Sequence, residues 1–243
     1  MPSGAVLERA EQLAILEGQV HERQTSSEMG DLIADGEALS DLDERDQAFL
    51  RELRRIYDRD TRLPIELVTT IARQASINHS SWVAARKESD FSIFRDDFEE
   101  TLKLTREKAD HLGFAETRYD PLLDGYEPWM CTADLTMVLD ALRGPLVDLL
   151  ERIKGSTVAI NDDVLRRHYD VGSQRSFSDH LLAALGFGSH TGRLDVSAHP
   201  FSTTLGEADC RVTTRFQPNL LPTSVFGTIH ECGHGLHGLG VSP

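Results

Sequence analysis

Two histidines and a glutamate close to the end of the sequence have the spacing of a metal site. His230 and His234 are four residues apart, so on a helix they share one face with Cβ atoms about 5–6 Å apart, and both imidazoles can reach one zinc ion. Glu231 follows the first histidine directly, so its carboxylate can lie beside the metal without being a ligand. This is the His-Glu-x-x-His arrangement of a metallopeptidase, with two ligands and a general base on one helical turn.

The pentapeptide alone leaves a second interpretation open, an ordinary helix with two surface histidines. The apolar run before the motif favours a helix over residues 223–238, with Thr223 or Ser224 as its N-cap and Pro222 just outside. Glycine is a poor helix former, so the glycines around the histidines indicate close approach of a metal, a substrate or a neighbouring strand. These glycines are Gly233, Gly235, Gly238 and Gly240.

A zinc site of this class also needs a third protein ligand. No carboxylate follows Glu231 in the 243 residues, which end at Pro243, so we expect the site to be incomplete. His237 continues the i, i+4, i+7 stripe of the two motif histidines and is a possible substitute ligand. Cys232 points about 100° away from its neighbours and is expected to be a small packing residue.

Composition narrows the class of protein. The net charge is −15, from 25 basic and 40 acidic residues, which argues against nucleic acid or an anionic membrane as partner. No window approaches the roughly 18–20 apolar residues of a membrane span, and no leader is evident. Three cysteines without short metal-type spacing indicate neither a disulfide framework nor a cysteine zinc site. The cytoplasm is therefore the expected compartment.

Apolar periodicity predicts a single, mainly helical domain over residues 1–243. Residues 1–190 form its helical body, including a helix near 134–153 that Gly144 and Pro145 are expected to kink or break. At Gly192 the helical period is lost, and the alternation in residues 208–216 is that of a half-buried strand. We therefore predict a predominantly α-helical fold with a small antiparallel β-sheet over 192–217, next to the metal-site helix, as in an incomplete zincin.

Six blocks of residues occur in order along the chain: 82–86, 90–91, 119–128, 192–201, 209–216 and 230–234. Together they resemble the carboxypeptidase Taq family of thermostable metallocarboxypeptidases. The resemblance implies a mostly helical, deeply grooved protein, usually a homodimer, that removes C-terminal residues other than proline from peptides. It also implies one divalent metal per subunit, Zn²⁺ or another ion such as Co²⁺ or Mn²⁺, with His230 and His234 as ligands and Glu231 activating water.

Two of these blocks, 192–201 and 209–216, contain stretches that resemble family signatures near the active-site groove. They supply the substrate-groove candidates His199, Pro200, Phe201, Arg211, Thr213 and Arg215. In a strand, the last three point the same way and could line a peptide-binding edge. The alternative is that the arginines pair with Asp195, Glu207 or Asp209 to hold the sheet together, and that His199 is a packing residue.

The resemblance places the third metal ligand, a glutamate, and the groups that bind the substrate's terminal carboxylate on later helices. We therefore expect this chain to be the N-terminal portion of a metallocarboxypeptidase, weakly active or inactive alone. The alternative is a non-catalytic helical module that binds peptides or pairs with another polypeptide.

Overall fold

The computed structural model describes residues 3–240, so the first two and last three residues of the predicted 1–243 domain, including Pro243, lie outside the described residues. Within it, contacts divide the chain into two compact units, residues 1–154 and 155–243. The single-domain organisation expected from the sequence stays a prediction.

The first unit contains seven α-helices among its described residues. After a short 3₁₀ turn (Ser3–Ala5) they are α1 (Val6–Gln24), α2 (Ser27–Glu37), α3 (Glu44–Asp60), α4 (Ile65–Glu88), α5 (Ser92–Leu112), α6 (Asp120–Leu123) and α7 (Thr132–Lys154). Side-chain caps start two of them. The Ser26 side chain accepts a hydrogen bond from Met29 N at α2, and the Asp43 side chain accepts one from Asp46 N at α3.

A small leucine core joins α4 and α5 in this unit. Its members, all buried, are Leu63, Leu67, Leu104 and Leu112. On the other side of α4, Gly18 allows α1 to approach closely, since a Cβ there would lie 3.0 Å from Thr69 Cγ2. The buried His21 ring donates to the Leu63 carbonyl at 3.0 Å, so the turn before α4 is also held by α1.

The helix predicted near residues 134–153 is continuous through Pro145 as α7, so the helix does not break there, and a kink at Gly144 and Pro145 stays a prediction. None of the residues of α7 is buried. The helix exposes nine large apolar side chains: Met137, Val138, Leu139, Leu142, Leu146, Val147, Leu149, Leu150 and Ile153. A helix that exposes so many apolar side chains to solvent is unusual.

The second unit contains three α-helices and one sheet among its described residues. Its elements are α8 (Asp163–Arg166), α9 (Val171–Ala184), β1 (Gly192–Val196), β2 (Ser202–Gly206), β3 (Asp209–Thr214) and α10 (Leu221–Gly240). The Asp170 carboxylate caps α9 by accepting from Ser173 N. The predicted combination of a mainly helical chain with a small sheet beside the motif helix is thus confirmed.

The sheet is mixed rather than wholly antiparallel as expected. The strand order is β1-β3-β2, with β1 parallel and β2 antiparallel to β3. The alternation that revealed β3 reports only that a strand exists, and its direction relative to β1 depends on the segment between them. That segment contains β2, whose residues do not alternate between buried and exposed. A search for apolar alternation in the sequence therefore does not detect this strand.

Candidate metal centre

Close backbone approach positions α10 against the sheet. A Cβ on Gly235 would lie 2.8 Å from Phe187 Cε2, 3.1 Å from Cys210 Sγ and 3.3 Å from Val212 Cγ1, and Gly238 meets Thr204 of β2 in the same way. Of the alternatives left open for the motif glycines, a neighbouring strand therefore accounts for these two. At Gly233 and Gly240 a Cβ would have no neighbour within 4 Å.

Buried polar contacts tie the start of α10 to α9. Ser224 Oγ donates to Gln174 Oε1 at 2.7 Å, and Thr228 Oγ1 donates to Ser178 Oγ at 3.1 Å. All four side chains are buried, so these bonds satisfy polar groups that are shielded from water. The helix begins at Leu221, so Pro222, Thr223 and Ser224 lie inside it, and the expectation that Thr223 or Ser224 is its N-cap is wrong.

The two motif histidines converge. His230 Nε2 and His234 Nε2 are 3.3 Å apart, and their rings are nearly perpendicular with centroids 4.8 Å apart. Two ligand nitrogens of a tetrahedral zinc site, each about 2.0–2.1 Å from the metal, are about 3.3 Å apart. The pair therefore fits two ligands of one cation, and the same distance also suits a hydrogen bond between two neutral imidazoles.

Solvent access differs along the motif. Both histidines are exposed, whereas Glu231 is only 6% exposed and Cys232 is fully buried. Cys232 belongs to the apolar cluster beneath α10, together with Leu194 and Val212, which agrees with a packing role. Burial raises the pKa of the Cys232 thiol, and the neighbouring Cys210 raises it further. Such a thiol is a poor ligand and a poor nucleophile.

A third ligand is not grouped with this pair. Within residues 3–240, no cluster of three or more His, Cys, Asp or Glu side chains is arranged to hold a metal ion. His237 is exposed near the end of α10, and its role as a substitute ligand stays a prediction. The residues described thus offer two ligand positions out of the four that a zinc ion takes.

The groove candidates lie around the sheet. Thr213 is buried rather than displayed at an edge. Its hydroxyl is 2.6 Å from Ser197 Oγ and accepts from Phe201 N at 2.9 Å, so it joins the 197–201 loop to β3. Phe201 is half exposed, and Pro200 lies 3.8 Å from a Cβ position on Gly227 of α10.

The two arginines of this block behave differently. Arg211 forms a two-point pair with Asp209, at 3.1 Å from Nε and 2.9 Å from Nη2, one of the structural pairings left open by the sequence. Arg215 lies beyond the end of β3, and its Nε is buried without a hydrogen-bond partner. His199 is exposed, and its Nδ1 donates to the Pro200 carbonyl at 2.6 Å.

Sequence reasoning missed the supports of α10. Gln174, Ser178 and Leu182 form a buried stripe at i, i+4 and i+8 on α9. Their spacing is visible in the sequence, but two of them are polar, so an apolar periodicity search passes over them. Phe187 follows the left-handed Gly186 and fills the space beside Gly235. An aromatic residue directly after a helix-ending glycine was the available signal.

None of the helices in the described part of the chain is both long and apolar enough to cross a membrane.

Comparison with known proteins gives consistent results. The model of the carboxypeptidase Taq (M32) metallopeptidase family matches residues 1–243. Thermostable carboxypeptidase 1 of Thermus thermophilus is 36% identical over 96% of this chain and 48% of its own length. Carboxypeptidase 1 of Bacillus subtilis is 30% identical over 97% of this chain and 47% of its own length.

Solved structures agree. A Pyrococcus furiosus carboxypeptidase matches 98% of this chain and 48% of its own with a TM-score of 0.83 and 30% identity. An M32 carboxypeptidase from Deinococcus radiodurans matches 100% of this chain and 48% of its own with a TM-score of 0.81 and 29% identity. The chain thus spans about half the length of the relatives it matches. Because the family model matches all 243 residues of the chain, the chain belongs to the carboxypeptidase Taq (M32) family of metallopeptidases.

Proposed function

We propose that this chain carries two metal ligands and the general base of a zinc-type metallocarboxypeptidase, which removes C-terminal residues from peptides. The observation that carries the proposal is the 3.3 Å separation of the two Nε2 atoms in a chain of a metallopeptidase family. Reaction and substrate come from the names of the relatives, which are carboxypeptidases.

In this proposal His230 and His234 hold one divalent cation through their Nε2 atoms, with zinc preferred for paired imidazoles and Co²⁺ or Mn²⁺ as alternatives. A bound cation would polarise a peptide carbonyl and make a water molecule more acidic. Glu231 takes a proton from the attacking water and delivers it to the leaving nitrogen, as a general base and then a general acid. Its burial keeps that carboxylate from bulk water, while the exposed histidines stay accessible.

Two ligands bind zinc weakly, because each missing ligand removes binding free energy. We therefore propose that the third ligand comes from outside the described residues. The resemblance assigns this ligand to a glutamate on a later helix. The chain alone is then weakly active or inactive. A homodimer and a cytoplasmic location, the latter suggested by three free cysteines, complete the proposal.

Hydrolysis of a blocked dipeptide, with and without a metal chelator, tests the role of Glu231. General-base catalysis contributes about 10²–10⁴-fold, so Glu231→Gln should lower the metal-dependent rate at least about 100-fold. Glu207→Gln is the matched control, because Glu207 is an exposed glutamate next to β3. Metal-dependent hydrolysis that exceeds the chelated rate and is equal in wild type and Glu231→Gln would contradict the assignment.

One observation favours a second candidate, a module that pairs with another polypeptide. The nine exposed apolar side chains of α7 form a surface that a stable monomer rarely presents to water. We propose as its occupant the polypeptide equivalent to the other half of the relatives, since this chain covers 47–48% of their length. This pairing and the metallopeptidase function are compatible.

Light scattering and dye binding test the apolar surface. The isolated chain should self-associate or bind a hydrophobic dye, and Leu142→Glu with Leu149→Glu on α7 should abolish either behaviour. The control is the pair Asp140→Glu and Asp148→Glu on the same helix, which keeps the charge. A monomer that binds no dye would overturn the pairing candidate and leave the metal site untouched.

A further inference from the structure

A cavity of about 430 Å³ in the first unit is lined by three arginines of one stripe. Arg55 and Arg59 lie one turn apart on α3, and Arg62 follows in the turn after the helix, at i, i+4 and i+7. Across the cavity lie Asp124 and Trp129, in the segment after α6.

Arg55 fixes the wall of this cavity. Its Nη1 lies 2.9 Å from Asp124 Oδ2, and the other oxygen of Asp124 accepts a hydrogen bond from Trp129 N at 2.8 Å. The Arg55 guanidinium also lies 5.9 Å from the centre of the Trp129 ring. The charge of Arg55 is therefore satisfied by protein groups.

Arg59 is different. Its Nε is buried and has no hydrogen-bond partner, and none of the ion pairs formed within residues 3–240 includes Arg59 or Arg62. Arg62 donates only to a neutral acceptor, the Leu112 carbonyl, at 2.7 Å. Because a buried donor without an acceptor costs free energy, such a group calls for an acceptor that the protein itself does not supply.

The carboxylates at the cavity already have partners. Asp58 Oδ1 lies 3.6 Å from Arg54 Nη1, and Asp120 accepts hydrogen bonds from Thr132 N at 2.9 Å and from the Thr132 hydroxyl. Both bonds from Thr132 lower the pKa of Asp120, the hydroxyl more than the backbone amide, so Asp120 stays ionised in place. Of the three arginines that line the cavity, Arg59 and Arg62 therefore lack an anionic partner within the described part of the chain.

Two backbone features shape the wall of the site. A Cβ on Gly125 would lie 2.8 Å from Arg59 Nη2, so a glycine is needed there for the guanidinium to occupy its place. Trp129 has a φ of +65°, a left-handed conformation that is strained for a bulky residue. Trp129 is 74% exposed and stands at the rim of the cavity.

We propose that this cavity binds a small oxyanion, a phosphate or a carboxylate group, through the guanidinium groups of Arg59 and Arg62. A planar guanidinium presents paired N–H donors that match two oxygens of either anion. The site uses residues of the first unit alone and does not depend on the metal-binding proposal.

Fluorescence of Trp129 reports on the site directly. The chain has two tryptophans, so Trp82→Phe leaves Trp129 as the single reporter. Inorganic phosphate and succinate are titrated separately against potassium chloride of equal ionic strength, which distinguishes a phosphate from a carboxylate ligand. A saturable change with one or both anions, absent with chloride, is the expected result.

Variants in the same background locate the binding. Arg59→Ala should lower the affinity for the anion about tenfold or more. Gly125→Ala should also lower this affinity, because the new methyl group displaces the Arg59 guanidinium while its charge is kept. Arg51→Ala is the matched control, an exposed arginine on the same helix outside the cavity. Far-ultraviolet dichroism verifies folding, and Gly125→Ala carries the test if Arg59→Ala does not fold.

Three results would overturn the site. One is the absence of a saturable change up to about 50 mM of either anion, a concentration that detects even weak binding. Another is an equal response to chloride, which would mean ionic strength alone. The third is an affinity that Arg51→Ala lowers as much as Arg59→Ala or Gly125→Ala does.

Discussion

Ser224 Oγ of α10 donates a 2.7 Å hydrogen bond to Gln174 Oε1 of α9, and both side chains are at least 98% buried. The amide nitrogen of Gln174 continues outward to the carbonyls of Tyr169 and Gln217, at 3.0 and 2.8 Å. One glutamine therefore ties α10, the helix of the His-Glu-x-x-His motif, to α9 and to the loop that precedes α10.

Removal of this glutamine should destabilise the second unit. In Gln174→Ala the Ser224 hydroxyl and two carbonyls lose a partner, so the free energy of unfolding should fall by about 1–3 kcal/mol. Ser176→Ala is the control, since Ser176 is exposed on the same helix. Urea unfolding followed by circular dichroism measures both, and equal midpoints for the two variants would show that the buried hydrogen bonds are not needed.

Two glycines of the motif helix should respond in opposite directions to alanine. At Gly235 the new methyl group meets Phe187, Cys210 and Val212, so overpacking of about 1–3 kcal/mol should outweigh the gain in helix propensity. At the exposed Gly233, which has no neighbour within 4 Å, alanine should stabilise by about 0.5–1 kcal/mol. Thermal unfolding compares them. Stabilisation by Gly235→Ala would contradict the close packing of α10 on the sheet.

These responses also show what a sequence can predict. The i, i+4 spacing of His230 and His234 and the alternation in β3 are local, so the helix, the strand and the convergence of the two rings followed from the chain alone. Partners distant in sequence did not. No sequence pattern near Gln174 predicts its contact with Ser224, which is fifty residues away.

The direction of a strand and the use of an arginine depend on tertiary context in the same way. The sheet became mixed because β2 occupies the segment between β1 and β3. Arg211 had three candidate acids, and the strand conformation brings Asp209 to its side. Pairing between such residues is decided by rotamers and neighbours that a sequence pattern does not contain.

Thiol labelling should distinguish one cysteine from the other two. Cys131 is partly exposed, whereas Cys210 and Cys232 are fully buried, and burial raises the pKa of the Cys232 thiol. One thiol per folded chain should therefore react quickly with Ellman's reagent at pH 8, and all three after unfolding. Cys131→Ser should remove the fast phase. A fast phase that survives this change would contradict the burial of Cys210 or of Cys232.

The cap of α9 should make the second unit sensitive to acid. Asp170 accepts hydrogen bonds from the Ser173 hydroxyl at 2.6 Å and from Ser173 N at 2.8 Å. Both bonds lower the pKa of Asp170, and the bond from the hydroxyl has the larger effect. Because the folded pKa lies below the unfolded one, the stabilisation is present above the unfolded pKa and is lost as pH falls through the folded pKa.

We therefore expect Asp170→Ala to lower the urea midpoint at pH 7, and the difference from the wild type to become smaller in strong acid. Asp170→Asn keeps a capping oxygen without a titrating group, so its midpoint relative to Asp170→Ala should not change with pH through this mechanism. A wild-type advantage over Asp170→Ala that is the same at both pH values would disprove the role of the carboxylate.

Metal titration of the purified chain tests the central claim, that His230 and His234 bind one cation together. Co²⁺ absorbance followed by competition with Zn²⁺ should show one ion per chain. Substitution of either histidine by alanine should lower the affinity for the metal ion at least about tenfold. His180→Ala, an exposed histidine on α9, should bind as the wild type does. Absence of metal uptake, or uptake that His230→Ala and His234→Ala leave unchanged, would contradict the account.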